Sequence, residues 1–530
     1  MSLAPNLTSQ AGFPVQSEER LRVFGFVNVT FLLILALVSW RYWRFTVAPY
    51  LHPERPKELP YWIPFLGHAR AFFRDSNDLL SRARSYFDNT QEPIALTAFG
   101  MTFYVVTQAK HSAEVYRNKD TLSFEDFVQG LMRSNGNKED VVQIMYSALP
   151  TNKTGFPNPL GESLGVLAQK MHAHQLHPGN QLALLEQQVD FRIDYLLRLE
   201  TLSKVCTYAG SQGSDHIELP LYQWCSDYFI RLGQHVYFSE TLDRIDPKLP
   251  DAFLIFDEVI WKMLYQYPEF LSHDMSRARA QVTASLKKYF EIPQSERSNG
   301  TAWLITSMED EMRALGVDND NLAVLIFHLY FAINTNTRKS VFWMLTYLLH
   351  NPSILAKFRQ QTGAAFKDGH LVDSSYIQDP LKCPDVEMIW HETLRLSGWS
   401  ASVRLITQDT IIGGKVMRKG NRVMVPHRLL HFDEQIFGEN PYKFKPERWQ
   451  KENLSRSPSW RPFGAGQTMC SGRFLARFSV TTFVATLLQR FEIELVGNPP
   501  LPEADEGRPV LGIMSIKKGH DFKVRLSPRI

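Results

Sequence analysis

The sequence predicts one large, mainly α-helical body with a small β portion, preceded by a single N-terminal transmembrane helix. An 18-residue run without a charge, Val23 to Trp40, is near the shorter limit of what spans a bilayer as a helix. Most of the following chain has helical apolar spacing, and its strand-like pieces are short and lie mostly near the two ends. Hydrophobic residues make up 44% of the 530, enough for a large core.

The apolar run is followed at once by Arg41 and Arg44, interleaved with aromatic residues. This order predicts a single-pass anchor of the endoplasmic reticulum type, with the body on the cytoplasmic side. A cleaved signal peptide fits less well, because about twenty mostly polar residues precede the run and no small-x-small site follows it. A buried core helix is the third interpretation.

The chain is therefore divided into four predicted segments. They are a lumenal tail at 1–22, an anchor at 23–40, a basic and proline-rich connector at 41–67, and the body at 68–530. Prolines at this density predict a stiff, extended connector. The sequon at Asn6 would be lumenal and open to glycosylation.

Charge and cysteine content exclude several classes of protein. Lys and Arg number 58 against 55 acids, so nothing indicates a nucleic-acid or polyanion partner. The four cysteines, Cys206, Cys225, Cys383 and Cys470, are too few and too scattered for a disulfide framework and form no CxxC pair. This usage fits a reducing compartment.

Within the body, the residue pattern predicts a few elements with clear limits. They are a hairpin of Ile94–Ala98 and Thr102–Val106, a long unbroken helix over Asn321–His350, a helix over Asp385–Ser397, strands and turns over Thr410–Pro426, and an amphipathic helix over Arg473–Arg490.

The segment from Trp460 to Gly472 carries the clearest chemical signal. Gly464 and Gly466 allow a loop with positive φ angles that can approach a flat ligand closely. Cys470 lies just before the amphipathic helix, where the helix dipole and free amides favour a thiolate. A structural cysteine beside a glycine turn is the alternative interpretation.

The spacing from Phe463 to Gly472, Phe-x-x-Gly-x-x-x-Cys-x-Gly, resembles the cysteine-ligand loop of the cytochrome P450 family. Upstream, Glu392-Thr-Leu-Arg395 has the family's Glu-x-x-Arg form, whose two side chains share a helix face. Pro446-Glu-Arg448-Trp is similar to the family's Pro-Glu-Arg-aromatic segment. A lone Glu-x-x-Arg carries no weight, but three motifs in this order identify the chain as a member over nearly its whole length.

The resemblance implies a P450 fold and a haem b whose iron has Cys470 as axial ligand, with Phe463, Gly464 and Gly466 in the ligand loop. It also implies a buried network of Glu392, Arg395 and Arg448 under the haem, and a contact from Arg404 to a haem propionate. Electrons would come from NADPH through a membrane-bound reductase, and the substrate would be a large apolar molecule such as a sterol, terpenoid or polyketide.

Three departures from the family pattern leave the finer chemistry open. Residues 170–178 lack the usual Trp-x-x-x-Arg pair, so one of His172, His174 and His177 would replace it as a donor, or the three would bind zinc. Thr468 stands where most members have Arg or His two residues before the cysteine. On the long helix, Thr335 and Asn336 occupy the usual acid and alcohol positions, followed by Thr337.

The last two departures resemble a branch that contains sterol 7-alpha- and 12-alpha-hydroxylases and prostacyclin synthase. A monooxygenase is the favoured reaction, because Thr335, Asn336 and Thr337 offer an amide and hydroxyls that can order a water for proton delivery. A reductant-independent peroxide isomerase or dehydratase, and a non-enzymatic haem- or lipid-binding membrane protein, are the alternatives. Asn336 would in the simplest case only pack on a core helix. Secondary metabolite biosynthesis is the expected setting.

Overall fold

The computed structural model describes residues 15–90, 92–205, 216–265, 267–297, 299–451, 453–507 and 510–529. The sequon at Asn6 and the thiol of Cys206 lie outside these residues. Helices form most of the described chain, and four small sheets form the β portion. The predicted class, mainly α with a small β portion, is confirmed.

The α-helices of the described residues are, in chain order, α1 Val15–Tyr42, α2 Ala48–Leu51, α3 Ala69–Arg74, α4 Ser76–Tyr86, α5 Ala109–Arg117, α6 Glu125–Ser134, α7 Glu139–Met145, α8 Leu164–Leu176, α9 Asn180–Leu196, α10 Leu199–Val205, α11 Leu221–Phe238, α12 Thr241–Ile245, α13 Leu249–Leu264, α14 His273–Glu291, α15 Gln294–Arg297, α16 Trp303–Ala314, α17 Asn319–Thr335, α18 Thr337–Leu349, α19 Pro352–Thr362, α20 Ser374–Gln378, α21 Pro384–Ser397, α22 His427–His431, α23 Glu434–Phe437 and α24 Arg473–Arg490. The strands are β1 Lys57–Glu58, β2 Ile94–Ala98, β3 Met101–Val105, β4 Leu122–Ser123, β5 Ile217–Pro220, β6 Phe366–Lys367, β7 His370–Leu371, β8 Ala401–Ile406, β9 Thr410–Ile412, β10 Lys415–Met417, β11 Arg422–Pro426, β12 Phe491–Leu495 and β13 Lys523–Pro528.

The N-terminal helix contains the whole predicted anchor and is longer than it. After α1, a π-helical turn at Trp43–Val47 and the short α2 continue the helical path to Leu51. The proline-dense residues 52–67 come after this helical path and contain the short strand β1 between turns. Phe26–Leu51 has mean hydropathy 1.5 and is unburied, so its length and composition suit a membrane span.

Two arginines fasten the end of this helix to the body. The guanidinium of Arg41 lies 4.2 Å from the ring centroid of Trp62, and Arg44 makes a 2.8 Å ion pair with Glu58. Glu58 belongs to β1, which pairs in parallel with β2 at the edge of the largest sheet. The helix thus leaves the body at a place fixed by both aromatic and charged contacts.

The largest sheet has six strands in the order β1-β2-β3-β11-β8-β4. The predicted hairpin forms its β2-β3 pair, with the turn at Phe99-Gly100 and the second strand starting one residue earlier than predicted. β11 pairs in parallel with β3 and antiparallel with β8, which opposes Val423 to Arg404. Arg404 is thereby held on an inner strand.

The central helices form the main hydrophobic core. α18 and α24 are buried over most of their length and pack against each other, and α24 has the limits predicted from the sequence. The predicted unbroken helix over Asn321–His350 was wrong in one respect, because it is interrupted at Asn336 and divided into α17 and α18. The helix over Asp385–Ser397 is confirmed as α21, one residue longer.

Candidate functional site

The loop before α24 turns back on itself around two glycines. Gly464 and Gly466 have φ angles of +76° and +62°, a region that residues with a Cβ rarely adopt. The turn brings the backbone N–H of Cys470 to the carbonyl of Phe463 at 2.9 Å. The predicted positive φ angles are confirmed, and they place the Cys470 side chain at the start of α24.

The backbone N–H groups of Gly472 and Arg473, at the N-terminal end of α24, favour the ionised form of the Cys470 sulfur. Burial raises the pKa of the thiol, and these N–H groups and the Arg473 charge oppose the rise without cancelling it. The helix end alone therefore does not ionise the sulfur, contrary to the expectation from the dipole. A bound cation would, since coordination deprotonates a thiol.

The protein packs densely enough around Cys470 to raise the pKa of its thiol. The side chain is nevertheless accessible to solvent. Both hold when a side chain faces a hollow inside the protein rather than the outer surface. Ala332 is likewise exposed in the middle of α17, although its neighbours Phe331 and Asn334 are buried. Such internal apolar surface is what a large flat ligand would cover.

The carboxylate of Glu392 on α21 is fully buried and accepts five hydrogen bonds. Arg395 binds it through two nitrogens at 2.8 Å each, and Arg448 through one at 2.9 Å. The indole of Trp449 and the backbone N–H of Lys445 supply the other two, at 2.9 and 3.0 Å. The structure thus brings together the three residues that the family resemblance placed in one network.

Arg404 is buried, and its guanidinium donates to Oγ1 of Thr468 at 2.5 Å. Thr468 occupies the position that holds a cation in most of the family, so the arginine on β8 reaches the cysteine loop in its place. Burial lowers the pKa of Arg404, and no described carboxylate lies within 4 Å of it. A buried cation without an anion is costly, so this site is suited to an anionic group of a ligand.

The interruption between α17 and α18 is fixed by the side chain of Asn336. Its Oδ1 accepts a 2.9 Å hydrogen bond from the backbone N–H of Ile513, near the C-terminal end. A Cβ on Gly512 would lie 2.5 Å from the same oxygen, so only glycine allows this approach. Asn336 therefore does more than pack in the core, because it ties the break to a distant loop.

The three candidate catalytic residues face different surroundings. Thr337 is partly buried and begins α18, whereas Thr335 is buried and its hydroxyl helps to lower the pKa of Asp257 on α13. Burial opposes the ionisation of Asp257, but Lys339 and Arg338 outweigh it.

Sequence reasoning missed this buried cluster of Asp257, Arg338 and Lys339. Lys339 lies 2.6 Å from the Asp257 carboxylate, and Arg338 also pairs with it. Two adjacent cations inside an apolar helix were the available signal. Their acidic partner could not be found, because it is distant in the sequence.

The three histidines near α8 separate in the structure. Nδ1 of His172 lies 2.6 Å from the carbonyl of Ala168, whereas His174 packs on Trp303 with ring centroids 4.8 Å apart. His177 contacts Phe474 on α24. No group of three metal-binding side chains occurs among the described residues, which argues against the zinc alternative.

The donor set fits a haem. It offers one accessible cysteine at the N-terminal end of α24, accessible apolar surface on α17, and a buried arginine beside the same loop that lacks a carboxylate. A haem has the matching parts, namely an iron for the thiolate, an apolar macrocycle and anionic propionates.

The comparisons with known proteins agree with this geometry. The sequence profile of the cytochrome P450 family matches residues 209–524, more than half of the chain. Cytochrome P450 monooxygenase poxD of Penicillium oxalicum is 23% identical over 522 residues, covering 94% of this chain and 98% of that protein. Cholesterol 7-alpha-monooxygenase of Cricetulus griseus is 24% identical over 66% of this chain and 73% of its own length. The 5-beta-cholestane-3-alpha,7-alpha-diol 12-alpha-hydroxylase of Sus scrofa is 24% identical over 58% of this chain and 66% of its own.

Proposed function

Because the chain belongs to the cytochrome P450 family and is a monooxygenase of that family, we propose that it uses O2 and reductase-supplied electrons to hydroxylate or otherwise oxidise a large apolar substrate. The observation that carries this proposal is the accessible Cys470 side chain, which the turn at Gly464 and Gly466 holds at the N-terminal end of α24. A haem bound there would supply the activation of oxygen.

The residues that would hold the haem are Cys470 on the iron and Arg404 on one propionate. The N–H groups of Gly472 and Arg473 would moderate the donor strength of the sulfur. Glu392, with its two arginines, would hold α21 and the turn Pro446–Gln450, upstream of the cysteine loop, in a fixed relation.

Asn336 is the proposed proton-handling residue. Its Oδ1 is committed to Ile513, so its amide nitrogen would hold a water that could deliver a proton to the reaction site. Thr337, the next residue in the chain and partly accessible, is the second polar group available there. Thr335 would act at a distance, because its side chain is buried.

The proposed substrate class is a sterol, terpenoid or polyketide skeleton. Two of the relatives are named as sterol monooxygenases, and a third covers nearly the whole chain. We further propose a role in secondary metabolite biosynthesis. Metabolite profiling by mass spectrometry of cells with and without the gene would test this. If every apolar product persists in cells without the gene, the proposed role is wrong.

The proposed location is the endoplasmic reticulum membrane, with residues 1–22 in the lumen, 23–40 in the bilayer, 41–67 as connector and 68–530 as the cytoplasmic haem domain. The unburied apolar helix and the basic residues after it support this orientation. The electron donor would be an NADPH-dependent reductase of the same membrane. Protease treatment of intact microsomes should digest the body and spare the tail, and glycosidase treatment should report on Asn6.

Reconstitution of the purified protein tests the reaction. With reductase, NADPH and O2, substrate should gain oxygen, and the reduced carbonyl complex should show the thiolate-type absorption band. Cys470→Ala should abolish both signals, whereas the buried Cys383→Ala should preserve them as the matched control. Turnover without reductant would instead support a peroxide isomerase or dehydratase.

Asn336→Ala tests the proton role. It should lower product formed per NADPH and raise release of hydrogen peroxide, while leaving the thiolate-type band intact. Asn334→Ala is the control on the same helix, since its amide donates to the carbonyl of Tyr330. If Asn336→Ala forms as much product per NADPH as the wild type, Asn336 has only the structural role given by its hydrogen bond with Ile513.

A further inference from the structure

Arg461 lies at the start of the cysteine loop. The residue as a whole is half-buried, but part of its guanidinium is inaccessible to solvent. Its Nη1 donates to the carbonyl of Trp460 at 3.2 Å, and its backbone N–H donates to Nε2 of His431 at 3.0 Å. Its Nε is buried and has no hydrogen-bond partner within the described chain. Burial lowers the pKa of this guanidinium, so the site is costly for the charge it carries.

The surroundings of Arg461 contain no compensating acid. It and Arg404 both act electrostatically on the phenol of Tyr116, and none of the described carboxylates lies within 4 Å of either guanidinium. The Tyr116 hydroxyl lies 2.8 Å from Ser402 and 2.7 Å from His427. Burial raises the pKa of Tyr116 and lowers that of His427 to about 3, so both are neutral at pH 7.

Both guanidiniums therefore act on one neutral phenol beside the cysteine loop. Arg404 lies 5.9 Å from the ring centroid of Tyr116 and is bonded to Thr468 within that loop, and a Cβ on Gly466 would lie 3.5 Å from the carbonyl of Tyr116. The loop, the phenol and Arg404 thus meet, and Arg461 lies two residues before Phe463 at the start of the same loop. One propionate at Arg404 leaves the charge of Arg461 uncompensated.

We propose that Arg461 binds the second propionate of the haem, replacing the cation that Thr468 and residues 170–178 do not supply. This inference rests on the proposed haem site. The histidines are poorer candidates, because His172 is bonded to a helix carbonyl and His174 packs on Trp303. His177 is also engaged, since its Nε2 lies 3.3 Å from a guanidinium nitrogen of Arg473. A guanidinium with a buried, unbonded Nε offers a carboxylate a directed donor as well as a full charge.

The rate of haem transfer from the purified holoprotein to excess apomyoglobin tests the proposal without using turnover. Arg461→Gln should accelerate haem loss about tenfold or more, because it removes a hydrogen bond between charged groups. Arg461→Lys should recover part of the loss, because it keeps the charge without the planar fork. Arg456→Gln, an exposed arginine just upstream, is the matched control and should match the wild type.

Haem dimethyl ester, which has no carboxylates, separates a propionate contact from a general structural role. Loaded with the ester, wild type and Arg461→Gln should lose it at equal rates. Equal acceleration of both cofactors by Arg461→Gln, or no acceleration of either, would overturn the proposal. If the carbonyl complex of Arg461→Gln keeps the thiolate-type band, the cysteine assignment stands whatever happens to Arg461.

Discussion

Replacing Glu392 by glutamine probes how much the buried network under the loop contributes to the stability of the protein. Oε1 of Glu392 accepts from three donors and Oε2 from two, and all the charged partners are buried. Glutamine keeps one oxygen. Its best orientation turns the NH2 group toward the two donors at Oε2, the side chains of Arg395 and Trp449.

The cost follows from these contacts. Losing these two hydrogen bonds to the carboxylate costs about 3–6 kcal/mol, at about 1.5–3 kcal/mol for each hydrogen bond to a charged group. Removing one partner of a buried ion pair independently gives about 3–5 kcal/mol, because two guanidiniums would be left against a neutral amide. This is a large part of a typical stability of about 5–15 kcal/mol.

Urea unfolding, followed by circular dichroism and checked for reversibility, measures the difference in the free energy of unfolding. The matched control is Glu387→Gln, one turn earlier on α21, where Glu387 pairs with Arg477 at 2.7 Å and is 29% exposed. Partial exposure limits the expected loss there to about 1 kcal/mol. If Glu392→Gln costs no more than Glu387→Gln, the reasoning about the buried network is wrong.

Three further predictions concern other parts of the chain. Gly67→Ala should lower the unfolding temperature strongly, because its φ is +54° and a Cβ would lie 2.2 Å from the carbonyl oxygen of Thr97; a calorimetric midpoint within 2 °C of wild type would contradict this. Burial lowers the pKa of His427 from 6.5 to about 3, so the unfolded chain takes up its proton first and stability should fall as pH drops from 6.5 toward 3. His427→Gln should reduce that slope by about 1.4 kcal/mol per pH unit, measured by urea unfolding at several pH values, and an unchanged slope would refute it. Deleting residues 2–51 should make the protein extractable from membranes by alkaline carbonate, whereas the full chain should stay in the pellet.

Local patterns predicted the elements whose signals lie within one stretch of sequence. The amphipathic spacing predicted the observed limits of α24, and the two glycines before Cys470 adopt the predicted positive φ angles. The helix over residues 321–350 looked continuous because neither Gly nor Pro interrupts it. Its break depends on the backbone N–H of Ile513, a partner 177 residues away that no local pattern contains.

In the candidate site, too, the sequence predicted the contacts that a family motif contains and missed those that depend on packing. Glu392 and Arg448 were placed together by motif, and the structure joins them at 2.9 Å. Asp257 was missed because it meets Arg338 and Lys339 only once α13 packs near the helix break. Contacts made by distant segments therefore account for most of what the sequence did not reveal.

The hydrogen bond from Arg404 to Thr468 couples the two positions energetically. Thr468→Arg, which would restore the residue type common elsewhere in the family, would set a second guanidinium against that of Arg404. Two like charges at such a distance repel unless an anion lies between them, so in the haem-free chain the substitution should cost more stability while Arg404 is present than after Arg404→Gln. The effects of substitutions at positions 404 and 468 are therefore expected to be non-additive.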